Sequence, residues 1–421
     1  MQDRTYYRAT ATPDRYTDLR QDLHCKVCVV GGGFAGLATA LGLLEKGVND
    51  VVLIEAEQIG FGASGRNGGF VFGGFSLDNA DLIAQLGRER ARRLYQLTLD
   101  AVELIRQRIT RYQIDCDANY GGVLLANWFD DDRILERQRE FMQREFNVDW
   151  QALSRDETRE RLKTERYFGA LHERNAFHFH PLKYAQGLAR AISAKGGKVF
   201  EQSRVRRIDA DSAQKRVVTD AGTIYAEQIV MTCGGYLENL YPQLAKAVLP
   251  IATYVMATEP LHDKLTTAIN SDAAVYDTRF AFDYYRPLAD SRILWGGRIS
   301  ILDRTPEAVA QLLYRDLLKV YPQLAGTKVD FAWSGMMSYA RHKMPQIGCL
   351  PNGVWYAMGF GGHGVGPTTL AGQCVAEAIA QDQALPSGFE HYGLPPTFGC
   401  LGLLAAQATY WYYECRDWLK E

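Results

Sequence analysis

The glycine-rich segment Gly31–Gly36 constrains the fold more than any other feature of the chain. It reads G-x-G-x-x-G and lies between a short apolar run, Lys26–Val30, and a stretch with helical periodicity, Phe34–Lys46. A second apolar run, Val51–Ile54, is followed at once by Glu55. This strand–helix–strand pattern, with an acid about 20 residues beyond the last glycine, predicts a dinucleotide-binding βαβ unit. In such a unit the helix N-terminus faces the pyrophosphate and the acid accepts from the adenosine ribose hydroxyls.

A second glycine-rich segment indicates that the bound dinucleotide is FAD rather than NAD. Residues 59–71 read IGFGASGRNGGFV and include Ser64, Arg66 and Asn67. Several backbone N–H groups and one guanidinium are the donors that a pyrophosphate and a flavin ring edge require. A fold that binds only NAD has no use for this second loop, so the segment indicates FAD. The alternative is a mobile surface loop, although its apolar residues are unsuited to solvent.

A third glycine-rich segment, Gly359–Gly366, precedes a helix predicted over Thr368–Ala380. The N-terminus of that helix would present amides and a positive dipole end to the N1–C2=O edge of a reduced flavin. His363 is predicted to add a hydrogen-bond donor there. Its alternative is a packing role.

Composition and charge indicate which kinds of molecule the protein can bind. The 421 residues carry 47 basic and 49 acidic side chains, a net charge of −2 without blocks of like charge, which gives no footprint for nucleic acid and disfavours an RNA-modifying flavoprotein. Eight scattered cysteines fit reduced thiols in a cytoplasmic protein. The polar N-terminus is not a signal peptide, and no run of 18 apolar residues predicts a membrane span. A small molecule is the expected partner, and an oligomer is not excluded.

Two short motifs suggest metal or redox chemistry but favour structural roles. Cys25-x-x-Cys28 lies in the first strand, where an offset of three should place the two side chains on opposite faces. His178-x-His180 has no third ligand at a suitable spacing. No metal site is predicted.

These segments, with four others, resemble the D-amino-acid-oxidase-like flavoprotein superfamily over nearly the whole chain. Several of the matches are specific to its amine-oxidising branch. The matching segments are TYY at Thr5–Tyr7, VCVVGGGFAGL at Val27–Leu37, IGFGASGRNGG at Ile59–Gly69, RYQIDCD at Arg111–Asp117, DYYRPLAD at Asp283–Asp290, KMPQIG at Lys343–Gly348 and GHGV at Gly362–Val365.

The resemblance implies an α/β fold with two domains and a tail. A Rossmann-like FAD-binding domain of the glutathione-reductase type would be built from discontinuous segments, and a substrate domain would carry an antiparallel sheet. Two charged helical stretches, Leu82–Arg111 and Ile134–Phe146, are interpreted as solvated helices of an inserted cap. The expected boundaries are 24–100, 172–235 and 330–385 for the FAD-binding domain, 101–171 and 236–329 for the substrate or cap domain, and 386–421 for an amphipathic C-terminal tail.

The resemblance also implies non-covalent FAD and specific contacts to it. Relatives that tether the flavin use a cysteine in the segment occupied here by Gly335-Met336-Met337. Sarcosine-oxidase-like relatives carry a lysine that assists oxygen where this chain has Leu294, so slow reaction with oxygen is expected. Carried across by position, the FAD contacts are Gly31, Gly33, Phe34, Ala35, Gly36, Glu55, Ala56, Ala63, Ser64, Arg66, Asn67, Gly68, Val205, Gly234, Gly362, His363, Gly364, Val365 and Thr368.

The hypothesis for the chemistry is oxidation of a C–N bond to an imine by hydride transfer from a neutral amine to flavin N5, followed by hydrolysis. The catalytic candidates are His363, Tyr285 as a wall of the amine site, and Lys343 near the ring. Arg286 could meet a substrate carboxylate or serve in packing. Two substrate classes remain as alternatives: gamma-glutamylputrescine or a similar long amine, and a cyclic secondary amino acid such as pipecolate or proline. The expected electron acceptor is oxygen or a quinone. An alternative that is not an enzyme is an assembly factor that binds FAD but does not oxidise amines.

The segment Cys400–Glu421 is predicted to form an amphipathic helix. Its apolar stripe suits the headgroup boundary at the inner face of a membrane, where a quinone would be available. The alternative is packing on its own domain or on a second subunit. The stripe consists of Leu401, Leu404, Ala408, Trp411, Cys415 and Trp418, with Tyr410, Tyr412 and Tyr413 beside it.

Overall fold

A computed structural model describes residues 5–212, 214–302 and 304–420 of the chain. Its strands are β1 (Leu23–Val30), β2 (Val51–Ile54), β3 (Phe70–Val71), β4 (Val123–Ala126), β5 (Gln151–Leu153), β6 (Ala170–Glu173), β7 (Phe177–His178), β8 (Lys198–Phe200), β9 (Val205–Asp209), β10 (Lys215–Thr219), β11 (Thr223–Met231), β12 (Leu249–Thr258), β13 (Ala274–Asp277), β14 (Asp283–Pro287), β15 (Ile293–Ser300), β16 (Val329–Tyr339), β17 (Gln346–Cys349) and β18 (Val354–Met358). Its α-helices are α1 (Tyr6–Thr10), α2 (Phe34–Glu45), α3 (Asn79–Leu86), α4 (Arg88–Arg111), α5 (Arg133–Phe146), α6 (Arg155–Leu162), α7 (Pro181–Ala194), α8 (Pro242–Ala245), α9 (Asp263–Ala268), α10 (Pro306–Val320), α11 (Val365–Gln381) and α12 (Cys400–Trp418).

The first sheet has a parallel core in the order β18-β11-β1-β2-β8, with β17 antiparallel at one edge and the β9–β10 hairpin paired to β11. From Val27 to Val30, successive side chains of β1 alternate between two buried cores, as expected of a parallel sheet covered on both faces. Helices α2, α7 and α11 belong to the core on one face. This architecture confirms the predicted Rossmann-like domain of discontinuous segments.

The second sheet has the order β16-β12-β15-β14-β13-β4-β6-β5 and is antiparallel except for the pair β13–β4. Helix α10 covers one face through Val309, Leu313 and Leu317, which pack against Tyr285 and Trp295. The antiparallel sheet expected of the substrate domain is confirmed, and it includes β16, which lies at the end of the chain segment 236–329 and beyond it.

Helix α4 corrects the predicted cap. Leu94 and Ile105 are buried in the same core as α2 and α11. Arg108, 1% exposed, donates to Glu45 of α2 over 2.6 Å. The prediction of a solvated cap helix over Leu82–Arg111 was therefore wrong for α4, which lies on the helical layer of the first sheet and continues through the boundary placed at residue 100. An amphipathic pattern shows that one helix face is buried, but not which element covers it.

The Cys25-x-x-Cys28 motif also differs from expectation. Both side chains contribute to one buried cluster, so the expectation of opposite faces was wrong. The contact with Cys25, followed by burial, raises the pKa of the Cys28 thiol well above its usual value. Both residues therefore pack as small apolar side chains.

The C-terminal segment forms the predicted helix, α12, but its orientation is unexpected. The buried residues are Gln407, Tyr410 and Asp417. The predicted apolar stripe faces outward, with Leu401 and Trp418 among its exposed residues. The helix does pack on the rest of the chain, as the alternative expected, but through its polar side and not through that stripe. Within the part of the chain that is described, no helix is long and apolar enough to cross a membrane.

Candidate active site

The first glycine-rich segment forms a tight turn at the C-terminal end of β1. A Cβ atom on Gly36 would overlap the carbonyl oxygen of Gly31, so α2 approaches this turn as closely as it does only with glycine there. Gly33 is the N-cap of α2, and the Phe34 N–H donates to Ser64 Oγ over 2.8 Å. The start of α2 therefore lies beside the second segment, and its positive end suits a pyrophosphate.

Glu55 follows β2, beside the same turn. Its carboxylate accepts from the backbone N–H of Gly32 over 2.6 Å and of Glu57 over 2.9 Å. Burial raises the pKa of this carboxyl even though the N–H groups oppose the change. The Ser203 N–H donates to the Glu55 carbonyl over 2.9 Å, so the chain enters β9 at Val205 close to the acid. The structure thus brings Glu55 and Val205 together, as an adenosine site requires.

The second segment is an ordered loop fixed by its own side chains. Asn67 Nδ2 donates to the carbonyls of Ala63 and Ser64, and its Oδ1 accepts from the Gly69 N–H over 2.8 Å. Arg66 is 8% exposed and donates to the Phe61 carbonyl over 2.7 Å. These contacts contradict the alternative of a mobile surface loop.

Arg286 supports this loop from the second sheet. The buried guanidinium donates through Nε to the Gly68 carbonyl over 2.7 Å, and through Nη2 to the Phe179 carbonyl over 2.8 Å and the Tyr7 hydroxyl over 3.2 Å. The Tyr7 hydroxyl donates in turn to the Asn67 carbonyl over 2.8 Å. Because these neutral acceptors occupy its donors, Arg286 positions the loop, and the expectation that it meets a substrate carboxylate is not supported.

The two histidines of the His178-x-His180 motif are buried beside Arg286. His178 Nε2 lies 2.8 Å from the Asp272 carbonyl oxygen, and His180 Nδ1 accepts from the Lys183 N–H at the start of α7. Burial is the main cause that lowers the pKa of each imidazole to about 3. Both rings are therefore neutral hydrogen-bonding groups between elements of the fold.

The third segment leads directly into α11, which begins at Val365, three residues before the predicted start at Thr368. Gly364 is the N-cap, and the His363 N–H donates to Ser76 Oγ over 3.0 Å. A Cβ atom on Gly364, or on Gly234 after β11, would meet no atom closer than 3.8 Å. The predicted contacts on the first, second and third segments therefore line one region at the C-terminal ends of the parallel strands, where dinucleotides bind in such folds.

An aromatic cluster closes this region against the second sheet. The His363 ring lies 4.2 Å from that of Phe72, and burial lowers the His363 pKa to about 4, so the imidazole is neutral at physiological pH. Cluster rings are in contact at centroid distances of 5.5–6.5 Å. The aromatic cluster consists of Phe70, Phe72, Tyr276, Phe282 and Tyr284.

Tyr285, the predicted wall residue, lies on the opposite face of the second sheet from Tyr284 of the aromatic cluster. The Tyr285 ring stacks on Trp295 at 4.4 Å, and its hydroxyl accepts from Tyr321 over 3.1 Å, on the face of the sheet that α10 covers. Tyr284 points to the opposite face, where a Cβ atom on Gly68 would lie 2.5 Å from its ring. The assignment to Tyr285 was wrong because neighbouring strand residues face opposite sides and the register was unknown.

Lys343 lies in the exposed turn between β16 and β17, where its backbone N–H donates to the Ala340 carbonyl. The described contacts do not bring its side chain into the aromatic cluster. Lys343 therefore has no structural support as a catalytic residue.

Glu173 is a buried carboxyl that the sequence interpretation missed. It ends β6, forms a hydrogen bond with the Gly73 backbone, and acts electrostatically on Tyr276 of the aromatic cluster. Burial raises its pKa from 4.5 to about 7. An acid that ends an apolar strand just beyond the predicted domain boundary was the signal available in the sequence.

Comparisons with known proteins agree with this geometry. A family model described as FAD dependent oxidoreductase (DAO) matches residues 26–378. Gamma-glutamylputrescine oxidoreductase of Escherichia coli (strain K12) is 39% identical over 397 residues, which are 93% of each chain. A probable oxidoreductase, OrdL, of Haemophilus influenzae is 32% identical over 423 aligned positions, covering 98% of this chain and 97% of that one. The crystal structure of glycine oxidase from Geobacillus kaustophilus has a TM-score of 0.73 at 21% identity and covers 88% of this chain and 98% of its own, which shows a shared fold.

Proposed function

Because the chain belongs to the DAO family of FAD-dependent oxidoreductases, and so acts on amines or amino acids, we propose that its substrate is gamma-glutamylputrescine or a closely related long amine. The observation that supports this substrate assignment is the 39% identity to gamma-glutamylputrescine oxidoreductase over 93% of both chains. The amine C–N bond becomes an imine, which water hydrolyses. The enzyme would therefore serve polyamine breakdown.

The residues present fit FAD. The glycine turn before α2 and the buried acid Glu55 provide a phosphate site and a ribose acceptor, and Gly234 and Gly364 have no side chain where a ring would approach the backbone. Bound FAD supplies the acceptor for the two electrons and the hydrogen removed from the carbon beside the amine nitrogen. We propose that FAD is held without a covalent bond, because Gly335-Met336-Met337 offers no cysteine for a thioether.

The aromatic cluster would bind the reacting end of the amine. Tyr284 and Phe70, with ring centroids 5.5 Å apart, lie between the Gly68 loop and the second sheet. An apolar aromatic wall excludes water and favours the neutral form of the amine, the form that can lose hydrogen from its α-carbon. Tyr284 therefore takes the wall role first given to Tyr285.

Strand β15 supports our proposal for the electron acceptor. Leu294 is fully buried opposite Arg286 and lies on the same side of the sheet as Tyr284. An apolar residue at this position provides no cation to stabilise reduced oxygen. We therefore propose slow turnover with oxygen and faster turnover with a quinone.

The substrate is tested by mixing the FAD-loaded protein anaerobically with a panel of amines and following flavin absorbance. The panel contains gamma-glutamylputrescine, putrescine, glycine, proline and pipecolate. We expect the fastest bleaching with gamma-glutamylputrescine and slower bleaching with putrescine, which lacks the glutamyl group. Fastest bleaching by proline or pipecolate would assign a cyclic secondary amine instead, and the absence of bleaching by every compound would reject the proposal.

Two variants test the wall. Tyr284→Leu should raise the apparent dissociation constant of the amine in the same experiment while FAD content stays normal. Tyr285→Phe is the matched control, because it removes only a hydroxyl on the opposite face of the sheet. Equal effects of the two variants on amine affinity would remove Tyr284 from the site.

Acid precipitation tests how FAD is held. Yellow colour should pass entirely into the supernatant. Colour that stays with the pellet would demonstrate a covalent link and contradict the argument from residues 335–337.

A further inference from the structure

Helix α12 is attached to the protein by its polar side. Gln407 Oε1 accepts from the Ile301 N–H over 3.1 Å, and Asp417 Oδ2 accepts from the Ala281 N–H over 3.0 Å. Glu414 forms a salt bridge with Arg298 of β15. These three contacts are spread over the length of the helix and fix its rotation about its own axis.

The opposite side of α12, the outer face, is exposed and almost wholly apolar. Leu401 is 73%, Trp411 61% and Trp418 69% exposed. Arg416 is the only charged residue among the exposed positions of the helix. Exposed apolar side chains extend the face at Phe398 before the helix and Leu419 after it. The outer face comprises Cys400, Leu401, Leu404, Ala405, Ala408, Thr409, Trp411, Tyr412, Cys415, Arg416 and Trp418.

Contacts between α12 and other segments of the chain set this orientation, and the sequence pattern of the helix alone does not. If α12 turned half a revolution, its leucines and tryptophans would be buried, but the Ile301 and Ala281 N–H groups would lose their partners. The Arg298 guanidinium would lose Glu414 and keep only Asp316. Buried donors without partners are costly, so the polar contacts hold the apolar side outward. A contiguous apolar surface held in this way marks an interaction site.

We propose that the outer face binds the surface of an anionic lipid bilayer. Tryptophan and tyrosine side chains are favoured at the boundary between headgroups and acyl chains, and α12 presents Trp411, Tyr412 and Trp418 together. The helix would lie in the plane of the membrane with its outer face inserted and its polar side on the enzyme.

The charges around the outer face favour this occupant. Arg416 lies on the face and Lys420 follows the helix, both exposed. Arg341 lies 5.6 Å from the ring of Phe398. These three cations around an apolar face would attract anionic headgroups. In a two-fold dimer through this face, the cationic rim of one copy would meet the identical rim of the other.

The test is co-sedimentation of the full-length, FAD-loaded protein with vesicles. We expect binding to vesicles that contain phosphatidylglycerol, and much weaker binding to pure phosphatidylcholine vesicles or at high salt. Leu404→Glu and Trp411→Glu should each weaken binding by about tenfold or more, because each places a charge where an apolar group is inserted. Tyr120→Glu, at an exposed aromatic residue outside the outer face, is the matched control and should bind as the unaltered protein does.

Flavin absorbance and amine-dependent bleaching should be unchanged in both α12 variants, which separates this test from that of the proposed function. Failure to bind phosphatidylglycerol vesicles, or binding that both variants retain, would overturn the proposal. Light scattering completes the test: a dimer that Trp411→Glu converts to a monomer would assign the face to a second copy and would also overturn it.

Discussion

Replacement of Arg286 by methionine should loosen the loop that lines the dinucleotide site. The guanidinium makes four hydrogen bonds, of which three, 2.7–3.2 Å long, go to the Gly68 carbonyl, the Phe179 carbonyl and the Tyr7 hydroxyl. A hydrogen bond to a charged donor contributes about 1.5–3 kcal/mol, so three of them stabilise the fold by roughly 6 kcal/mol. Burying a cation among neutral acceptors costs several kcal/mol, which methionine would recover. The hydrogen bonds outweigh that gain, and we expect a net loss of about 3 kcal/mol.

Arg286→Lys gives the sharper result, because lysine keeps the charge but has one nitrogen for three acceptors that lie in different directions. The buried charge therefore stays while most of its hydrogen bonds are lost. We expect the lysine variant to be no more stable than the methionine variant, although lysine is the conservative replacement. Both variants should also retain less FAD, since Gly68 and Asn67 are no longer held.

Urea unfolding of the FAD-loaded proteins, followed by tryptophan fluorescence, measures the loss, and the absorbance of the purified proteins measures FAD content. Arg206→Met is the control, because Arg206 pairs with Asp220 in an exposed salt bridge and its removal should barely move the unfolding midpoint. A methionine variant within about 1 kcal/mol of the unaltered protein, or a fully stable lysine variant, would refute the reasoning.

Three further outcomes follow from the site. Gly36→Ala places a Cβ atom into the Gly31 carbonyl, so the purified variant should be colourless, and a yellow variant with full FAD content would contradict the assigned site. His363→Ala should slow flavin reduction by about 10²–10³ with normal FAD content if the neutral imidazole is a donor to the reduced ring, whereas an unchanged rate would leave it as a packing residue. The pKa of Glu173 rises from 4.5 to about 7 on folding, so between these values the folded state binds more protons than the unfolded state and stability falls as pH rises. Glu173→Gln should remove this pH dependence. The free energy of unfolding of the variant, relative to that of the unaltered protein, should therefore be up to about 3 kcal/mol higher at pH 8 than at pH 4, as measured by urea unfolding at both pH values. Equal pH dependence of the two proteins would show that the carboxyl is not desolvated.

The sequence predicted the parts of the site that are local in the chain. The turn at Gly31–Gly36, its helix and Glu55 lie within one βαβ unit, so their spacing alone indicates their arrangement. The same holds for α11, apart from a predicted start that is three residues too late. The assignments between FAD and individual side chains stay predictions, since the structure brings those residues together but does not test each contact.

The remaining features depend on contacts between distant segments. Tyr284 can be preferred to Tyr285 as the wall of the amine site only when the register of β14 against β15 is known. In that register Tyr284 lies opposite Gly296. Glu173 became notable only when β6 brought it to Tyr276. The outward orientation of α12 depends on N–H groups at Ala281 and Ile301, more than 100 positions earlier in the chain, which no periodicity within the helix can reveal.

Strand β15 is a shared support for two surfaces of the enzyme. Gly296 lies under the Tyr284 ring, and Arg298, two residues further along the same strand, holds Glu414 of α12. Two residues of a strand span only about 7 Å, and backbone hydrogen bonds to β12 and β14 keep that stretch stiff. The residues that shape the proposed amine wall and those that hold α12 therefore share one short and stiff stretch of backbone.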